Sequence, residues 1–338
     1  MLPCLIQDGL LSDVDDIRMQ TIHVLMDLAK EAGPALKPHL TEFICVLLES
    51  LSGLESPMLN YLAARLSKES GNQDRLDDAR LQMAKSSPIT DTIDSLIKYI
   101  DAGILETLVP RLVEMIKKGI GQSTKAGCAR LVEQLARQCG QELHPHAKAL
   151  LKAMLSAARG KSAPVRRDFA NAIGHFVRAS PPGDVDMIVK RCRKMYIARE
   201  SDDYIEASAT ICKAIARYAP DVLAAVATQV LPLAFIGMYD PSTIVQKVWK
   251  EVWTSNTGGD EGGIRLYVPN ADRSKHQPVG FVRSCALFVY THTHTLSLSL
   301  ASLSVHPLSL ARSLSRSFGG RLPPAFHDVG MLNMPPTR

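Results

Sequence analysis

Apolar residues recur along the first 255 residues at the three- and four-residue spacing that puts them on one face of a helix. The pattern predicts helices that come in pairs, separated by short turns rich in Gly, Pro and Asp. Lys125, Val165, Ile205 and Val245 begin the second helix of four successive pairs and lie forty residues apart. A fixed period of this length indicates a solenoid, in which each helix pair buries its apolar face against its neighbours.

One stretch interrupts this rhythm, at about residues 68–90, where charged side chains are frequent and apolar ones few. We interpret it as an insertion between two helix pairs, partly helical and lying on the surface. A solvated spacer is the favoured role, although insertions in solenoids also carry binding. The predicted helices are 2–11, 15–30, 38–52, 57–68, 93–100, 104–118, 125–138, 146–158, 165–178, 185–199, 204–218, 221–238 and 241–253.

The character of the chain changes after about residue 256. Residues 256–268 are predicted to form a glycine-rich loop and the start of an incomplete further repeat. Beyond them, 269–338 includes alternating Thr-His and Leu-Ser runs, which simple dinucleotide repeats encode. We predict an all-α fold, with an α-solenoid of helix pairs in 1–255 and a low-complexity tail in 269–338 that is disordered or aberrantly translated.

Composition narrows the choice of partners. The net charge of the 338 residues is +5, but most of it falls after residue 255, so the helical part is nearly neutral and lacks the basic footprint of a nucleic-acid binder. No apolar run reaches the roughly 18 residues that span a bilayer, so no membrane insertion is expected. The seven scattered cysteines and the missing signal peptide indicate reduced thiols in the cytoplasm or nucleus.

Motifs for catalysis or metal binding are missing from the sequence. There is no nucleophile elbow, Walker A loop, zinc-protease motif or dinucleotide fingerprint. His144 and His146 have no third ligand at a suitable spacing, so a structural role is expected. We therefore predict a protein that is not an enzyme, with no cofactor and no metal. The alternative of a thiol-dependent enzyme would require a cysteine of low pKa beside a histidine.

The most prominent charge feature lies between Lys148 and Arg199, where basic residues far outnumber acidic ones. The turn within one helix pair would place part of this charge along one edge of the solenoid. We predict that the edge docks onto an acidic protein surface, where complementary charge sets the rate and register of binding. A merely solvated edge stays equally open. The candidate partner-binding residues are Arg159, Lys161, Arg166, Arg167, Lys190, Arg191, Arg193 and Lys194.

The helix pairs resemble HEAT repeats, because proline occurs early in first helices, as at Pro110 and Pro232, and the turn at Val165-Arg166 is typical of them. Within this class, 40–101, 108–119 and 217–223 resemble the proteasome adapter and scaffold family of very large HEAT-repeat proteins. The resemblance covers most of residues 1–268 and is most specific in 40–120, which includes the charged insertion. Since family members are several times longer, the chain is expected to be an internal segment from the C-terminal half.

The resemblance implies a non-enzymatic adapter of the 26S proteasome. Such a protein would bridge the core and regulatory particles, act in proteasome assembly and protein catabolism, and link proteasomes to vesicle- or motor-associated proteins. It would be cytoplasmic and nuclear, with some association with endomembranes. HEAT-repeat proteins of nuclear transport, tubulin-binding proteins and a truncated fragment without function are the alternatives left open.

Overall fold

The computed structural model describes residues 4–10, 12, 14–53, 70–118 and 121–257, and all regular secondary structure in these ranges is helical. The all-α solenoid prediction is confirmed. The predicted helix 57–68 and the predicted tail 269–338 lie outside the described residues, as do positions 258–268. The α-helices are α1 Asp15–Ala32, α2 Leu40–Gly53, α3 Ser70–Lys85, α4 Pro88–Ile97, α5 Ala102–Lys118, α6 Gln122–Gln138, α7 Ala147–Ala157, α8 Ala163–Phe176, α9 Pro182–Ala198, α10 Asp202–Tyr218, α11 Pro220–Ala225, α12 Ala227–Gly237 and α13 Thr243–Thr257.

Contacts divide the chain into two units, 1–226 and 227–338. In the first unit the helices form two layers. The first helices of successive pairs, α2, α5, α7 and α9, pack side by side, and the second helices α1, α4, α6, α8 and α10 form the other layer. This is the arrangement that the forty-residue period predicts, because each helix contacts its counterpart one repeat away.

Apolar side chains at equivalent repeat positions fill the space between the layers. Val165 and Ile205, which lie one period apart, are each 4% exposed. Leu131, Phe169 and Ile211 are also buried, on α6, α8 and α10. Burial of such a side chain stabilises the fold by about 1.5–3 kcal/mol. The continuous apolar seam therefore holds neighbouring repeats together.

At one place in the second-helix layer, two backbones come into close approach. A Cβ added at Gly174 of α8 would lie 2.6 Å from the backbone carbonyl carbon and oxygen of Ala214 in α10. Only glycine fits this position without a displacement of one helix. The contact between α8 and α10 therefore depends on a missing side chain.

Polar bonds between neighbouring second helices also follow the repeat. Arg130 of α6 pairs with Asp94 of α4 at 2.6 Å. The Gln138 side-chain amide donates to the carbonyl oxygen of Ile97 at 3.0 Å. Partners 36 and 41 residues apart thus fix how far one helix slides along the next.

The charged insertion differs from the prediction of a surface spacer. Its helix α3 packs against α6 and α8 of the second-helix layer, and Leu76, Asp77, Leu81 and Ala84 on its inner face are buried. Four positions spaced 1, 4 and 3 residues apart give a helix one buried stripe even when most of its residues are polar. The stripe is not evident from the composition, because the stripe consists of only these four residues.

The place of the insertion in the repeat also differs. Helix α4 lies between α1 and α6 in the second-helix layer and contacts α2, so it is the second helix of the second pair. The charged stretch therefore falls inside this pair, whereas the sequence predicts an insertion between two pairs. The short apolar helix that the sequence predicted near 93–100 is α4, which begins at Pro88 after a cap by Ser87.

Three polar contacts fasten α3 to the start of α8. The Ser162 hydroxyl lies 2.9 Å from the Asp77 carboxylate, the Arg167 guanidinium 2.7 Å from Asp78, and the Lys85 ammonium 2.7 Å from Asp168. Asp77 is only 2% exposed. Because a buried carboxylate without a partner is costly, these contacts set the position of α3 on the layer.

Leu81→Ala tests whether α3 is an integral part of the fold. Leu81 is 2% exposed, so the change should lower the free energy of unfolding by about 2–4 kcal/mol and speed amide exchange in 70–85. Met83→Ala is the matched control, since Met83 on the same helix is 58% exposed. Thermal unfolding and hydrogen exchange measure both, and equal behaviour of the two variants would contradict the packing.

Beneath α3, the carboxylates of Glu133 and Asp168 are partly desolvated. Burial raises the pKa of Glu133 to about 7, against the opposing effect of Arg137, and burial raises the pKa of Asp168 despite its bond to Lys85. Acids whose pKa is raised on folding bind protons more tightly in the folded state. The stability of the fold should therefore decrease as pH rises from about 4.5 towards 7.

Glu133→Gln should remove this pH-dependent cost. The expected gain in the free energy of unfolding is about 1–3 kcal/mol at pH 8 and close to zero near pH 4, where the carboxyl is protonated in both states. Urea unfolding across this pH range measures the difference. Glu106→Gln, at an exposed position of α5, is the control and should show no comparable change between the two pH values. A gain for Glu133→Gln that is the same at both pH values would contradict the desolvation argument.

The second unit contains α12 and α13 among the described residues. Trp249 and Trp253 of α13 are 0% and 2% exposed, and Trp253 lies 5.4 Å from the ring of Phe235 on α12. Gly237 leaves room for the Trp249 ring. The sequence predicted one helix over 221–238, but the chain leaves helical geometry at Val226, between α11 and α12. Helix α13 continues to the last described residue, Thr257, two residues beyond the predicted solenoid boundary.

Candidate partner-binding surface

Arg166 does not belong to an exposed docking edge, and this part of the prediction is wrong. Its side chain is 8% exposed and pairs at 3.0 Å with both Asp203 and Glu206 of α10. It also donates to the carbonyl oxygens of Gly160 and Lys161, at 3.2 and 3.0 Å. An arginine offers five N–H donors in a fixed planar fork, so it can close the turn before α8 and join two repeats at once.

Arg167 points to a different neighbour. It is about half exposed and pairs with Asp78 of α3, so it lies on the side of the second-helix layer. Lys161 is exposed in the turn before α8, and Arg193 is partly buried on α9. The eight predicted residues are therefore not brought together on one edge.

Four of the predicted residues do come together, in a groove between the first helices α7 and α9. Arg159, just after α7, faces Lys190, Arg191 and Lys194 of α9, and Lys152 of α7 joins them. The groove has a volume of about 670 Å³. Residues three and four positions apart on α9 lie on one helix face, and the packing of α9 beside α7 turns this face towards Lys152.

Two of the cations in the groove have contacts within the fold. Lys190 pairs with Asp186 one helical turn away, at 2.6 Å. Arg159 donates to the carbonyl oxygen of Leu155 at 3.3 Å, and its guanidinium lies 5.4 Å from the centre of the Tyr204 ring. These contacts orient the two side chains without neutralising the groove, since Asp186 is the one carboxylate among its lining residues in the described chain.

The other three cations, Lys152, Arg191 and Lys194, are exposed and form no ion pair with any residue that the structure describes. Lys152 lies in the basic stretch between Lys148 and Arg199 but is not among the eight predicted site residues. The signal that points to it is its distance of about one repeat from Arg191, which places both on neighbouring first helices. The groove therefore presents positive charge that the fold does not use.

Cysteine chemistry is disfavoured in the part of the chain that the structure describes. Burial raises the pKa of Cys45 and of Cys139 to about 11 and raises that of Cys128 as well. A hydrogen bond with Cys192, together with burial, raises the pKa of Cys212. A nucleophilic cysteine needs the opposite shift, because the thiolate is the reactive form.

Metal ligands are not clustered either. Among the described residues, no group of three or more His, Cys, Asp or Glu side chains is placed to hold a metal ion. His144 and His146 lie in the short 3-10 segment Gly140–His146 that precedes α7. Within the same ranges, no helix is both long enough and apolar enough to span a membrane.

Comparison with known proteins identifies the repeat. Residues 36–197 match the family model of the HEAT-repeat domain of the proteasome adapter and scaffold protein ECM29. A designed armadillo repeat protein matches 76% of this chain and all of its own, at 14% identity and a TM-score of 0.32, which is too distant to bear on the fold.

Curated relatives carry related names. The proteasome adapter and scaffold protein ECM29 of Homo sapiens is 40% identical over 274 residues, which is 79% of this chain and 15% of the human protein. The Drosophila melanogaster proteasome-associated protein ECM29 homolog is 28% identical over 79% of the chain and 14% of its own length. The Saccharomyces cerevisiae proteasome component ECM29 is 24% identical over 77% of the chain and 14% of its own length.

The chain thus spans about one seventh of the length of these relatives. The matched region includes the second pair with its inserted helix α3 and the groove between α7 and α9. On the family match and the 40% identity, the chain belongs to the family of the proteasome adapter and scaffold protein ECM29.

Proposed function

We propose that this chain is a segment of a non-enzymatic scaffold that associates with the proteasome. The observation that supports the proposal most directly is the family membership, in which the relatives are named as adapters, scaffolds or components of the proteasome. The structure adds a physical reason, because the stacked helix pairs among the described residues offer repeated helix faces to a large partner. Specific contacts between large proteins bury roughly 1,200–2,000 Å², which a repeat array readily supplies.

The proposal includes a specific role at the proteasome. A scaffold of this kind would contact assembled 26S proteasomes, bridge the core and regulatory particles, and act in proteasome assembly and protein catabolism. Its location would be cytoplasmic and nuclear, and contacts with vesicle- or motor-associated proteins would bring it to endomembranes. Other repeats of a longer protein would carry part of each role, since this chain corresponds to about one seventh of its relatives.

The alternative roles of HEAT repeats receive less support from the structure. A tubulin-binding array would be expected to expose tryptophan at its turns, but Trp249 and Trp253 are buried within α13. A nuclear transport receptor that binds basic signals would present acidic second helices. Here Asp94, Asp168 and Glu206 of that layer pair with basic residues of neighbouring helices.

A native-gel shift of purified 26S proteasome by the full 338-residue chain tests the proposal. We expect a retarded proteasome band that contains the chain, after circular dichroism has shown the chain to be helical. An array of similar length from an unrelated HEAT-repeat protein is the control. If the helical chain shifts the proteasome no more than this control does, the segment is not a proteasome contact.

A further inference from the structure

We propose that the groove between α7 and α9 binds an acidic helical segment of a partner protein. The groove presents five cations, Lys152, Arg159, Lys190, Arg191 and Lys194, and Asp186 is its one carboxylate among the described lining residues. Three of the cations have no ion-pair partner among the described residues, so a ligand carboxylate would meet positive charge that is not already neutralised. The inference rests on the proposed function, because it names the chemistry of the surface that the scaffold offers.

The lining of the groove favours a helix as the occupant. It combines the apolar side chains of Leu155 on α7 and Met187 on α9 with the basic residues of the same two helices. An amphipathic helix laid along this groove would place one apolar row on Leu155 and Met187. Its acidic side chains on either side of that row would reach Lys152 from one flank and Arg191 and Lys194 from the other.

Charge complementarity distinguishes a protein partner from a nucleic acid. No aromatic ring lines the groove among the described residues, so bases would have no platform for stacking. Asp186 would repel a phosphate chain, whereas spaced carboxylates of a helix avoid it. The helical part of the chain is also nearly neutral, which does not supply the long-range field on which nucleic-acid binding depends.

The experiment uses the full chain and a fluorescein-labelled helical peptide that carries glutamates on both sides of a leucine row. Fluorescence anisotropy measures binding at about 0.05 M and 0.15 M salt, since a charge-driven contact weakens as screening increases. The groove variant combines Lys152→Glu, Arg191→Glu and Lys194→Glu. The control variant combines Lys117→Glu, Lys247→Glu and Lys250→Glu, which changes the net charge equally at exposed positions outside the groove.

We expect the groove variant to bind the peptide roughly ten- to a hundredfold more weakly, and the control variant to bind like the unmodified chain. Equal affinity of the two variants would overturn the proposal. A version with Gln at the same three groove positions guards against misfolding and should lose binding to a smaller extent. Tighter binding of oligouridine or of vesicles with anionic lipids than of the peptide would overturn the assignment to a protein partner.

Proteasome binding in the native gel separates this inference from the proposed function. Loss of the proteasome shift in the groove variant alone would support both. If the groove variant shifts the proteasome as well as the unmodified chain does, the groove is not the proteasome contact and the inference fails, while the scaffold function stands. If the unmodified chain does not shift the proteasome, the proposed function fails, and the peptide titration still decides whether the groove binds acidic helices.

Discussion

Gly174→Ala is expected to lower the free energy of unfolding by about 2–4 kcal/mol, a large effect for a single methyl group. Helix propensity alone predicts the opposite, a gain of roughly 1 kcal/mol when alanine replaces a glycine within a helix. The steric cost exceeds the gain in helix propensity because the new Cβ would lie 2.6 Å from backbone atoms of Ala214, which cannot rotate away as a side chain would. Either α8 or α10 must shift, and the seam between two repeats opens.

Gly103→Ala is the matched control for this prediction. The only heavy atom in the described structure close to a Cβ added there is a carboxylate oxygen of Asp101, at 3.6 Å. This variant should therefore be neutral or gain up to about 1 kcal/mol. Thermal and urea unfolding of both variants measure the difference. A Gly174→Ala protein as stable as Gly103→Ala would show that α8 and α10 do not approach each other as closely as described.

Arg166→Met is expected to cost about 2–4 kcal/mol of stability, because it leaves two carboxylates and two turn carbonyls without their shared donor. The cost stays below that of a fully buried pair, since Asp203 and Glu206 are themselves 50% and 32% exposed. The midpoint of urea unfolding measures the loss. A charge reversal at Arg166 would likewise report on folding, and for this reason it is a poor test of partner binding.

The neighbouring Arg167→Met provides a sharp comparison. It removes the same kind of side chain one residue later, but Arg167 is half exposed and has a single exposed pair with Asp78. Its loss should cost no more than about 1 kcal/mol. Similar losses for both variants would indicate that burial does not distinguish the two arginines.

The sequence was sufficient for the repeat and its register, because apolar spacing and a fixed period depend only on local geometry. The positions of Val165 and Ile205 in equivalent buried places confirm this. The sequence was insufficient for α3, where a short buried stripe of Leu76, Leu81 and Ala84 lies among polar and charged residues that together form the majority. Which helix partners α2 is a long-range property, and periodicity does not encode it.

The sequence predicted only part of the candidate site, again because long-range packing decides the rest. Counting charge locates a basic stretch but does not say which side chains the fold uses. Arg166 and Lys190 are both basic residues of this stretch, so the sequence does not distinguish them. In the structure, Arg166 closes a turn inside the protein while Lys190 lines an open groove. Only the packing of α9 against α7 selects Lys152, Arg191 and Lys194 as the unused charge.

Helix α3 has a consequence for how the chain folds. Most contacts in a stack of helix pairs join residues within about one repeat, so such proteins nucleate locally and can unfold one end at a time. The contacts of α3 with the start of α8 instead join residues 83 to 89 positions apart, and α3 lies across α6 and α8 together. Closing so long a loop costs chain entropy before any contact between α3 and α8 can stabilise it. Docking of α3 should therefore be a late and slow step, and once it is complete, the repeats that it spans should melt as one cooperative block.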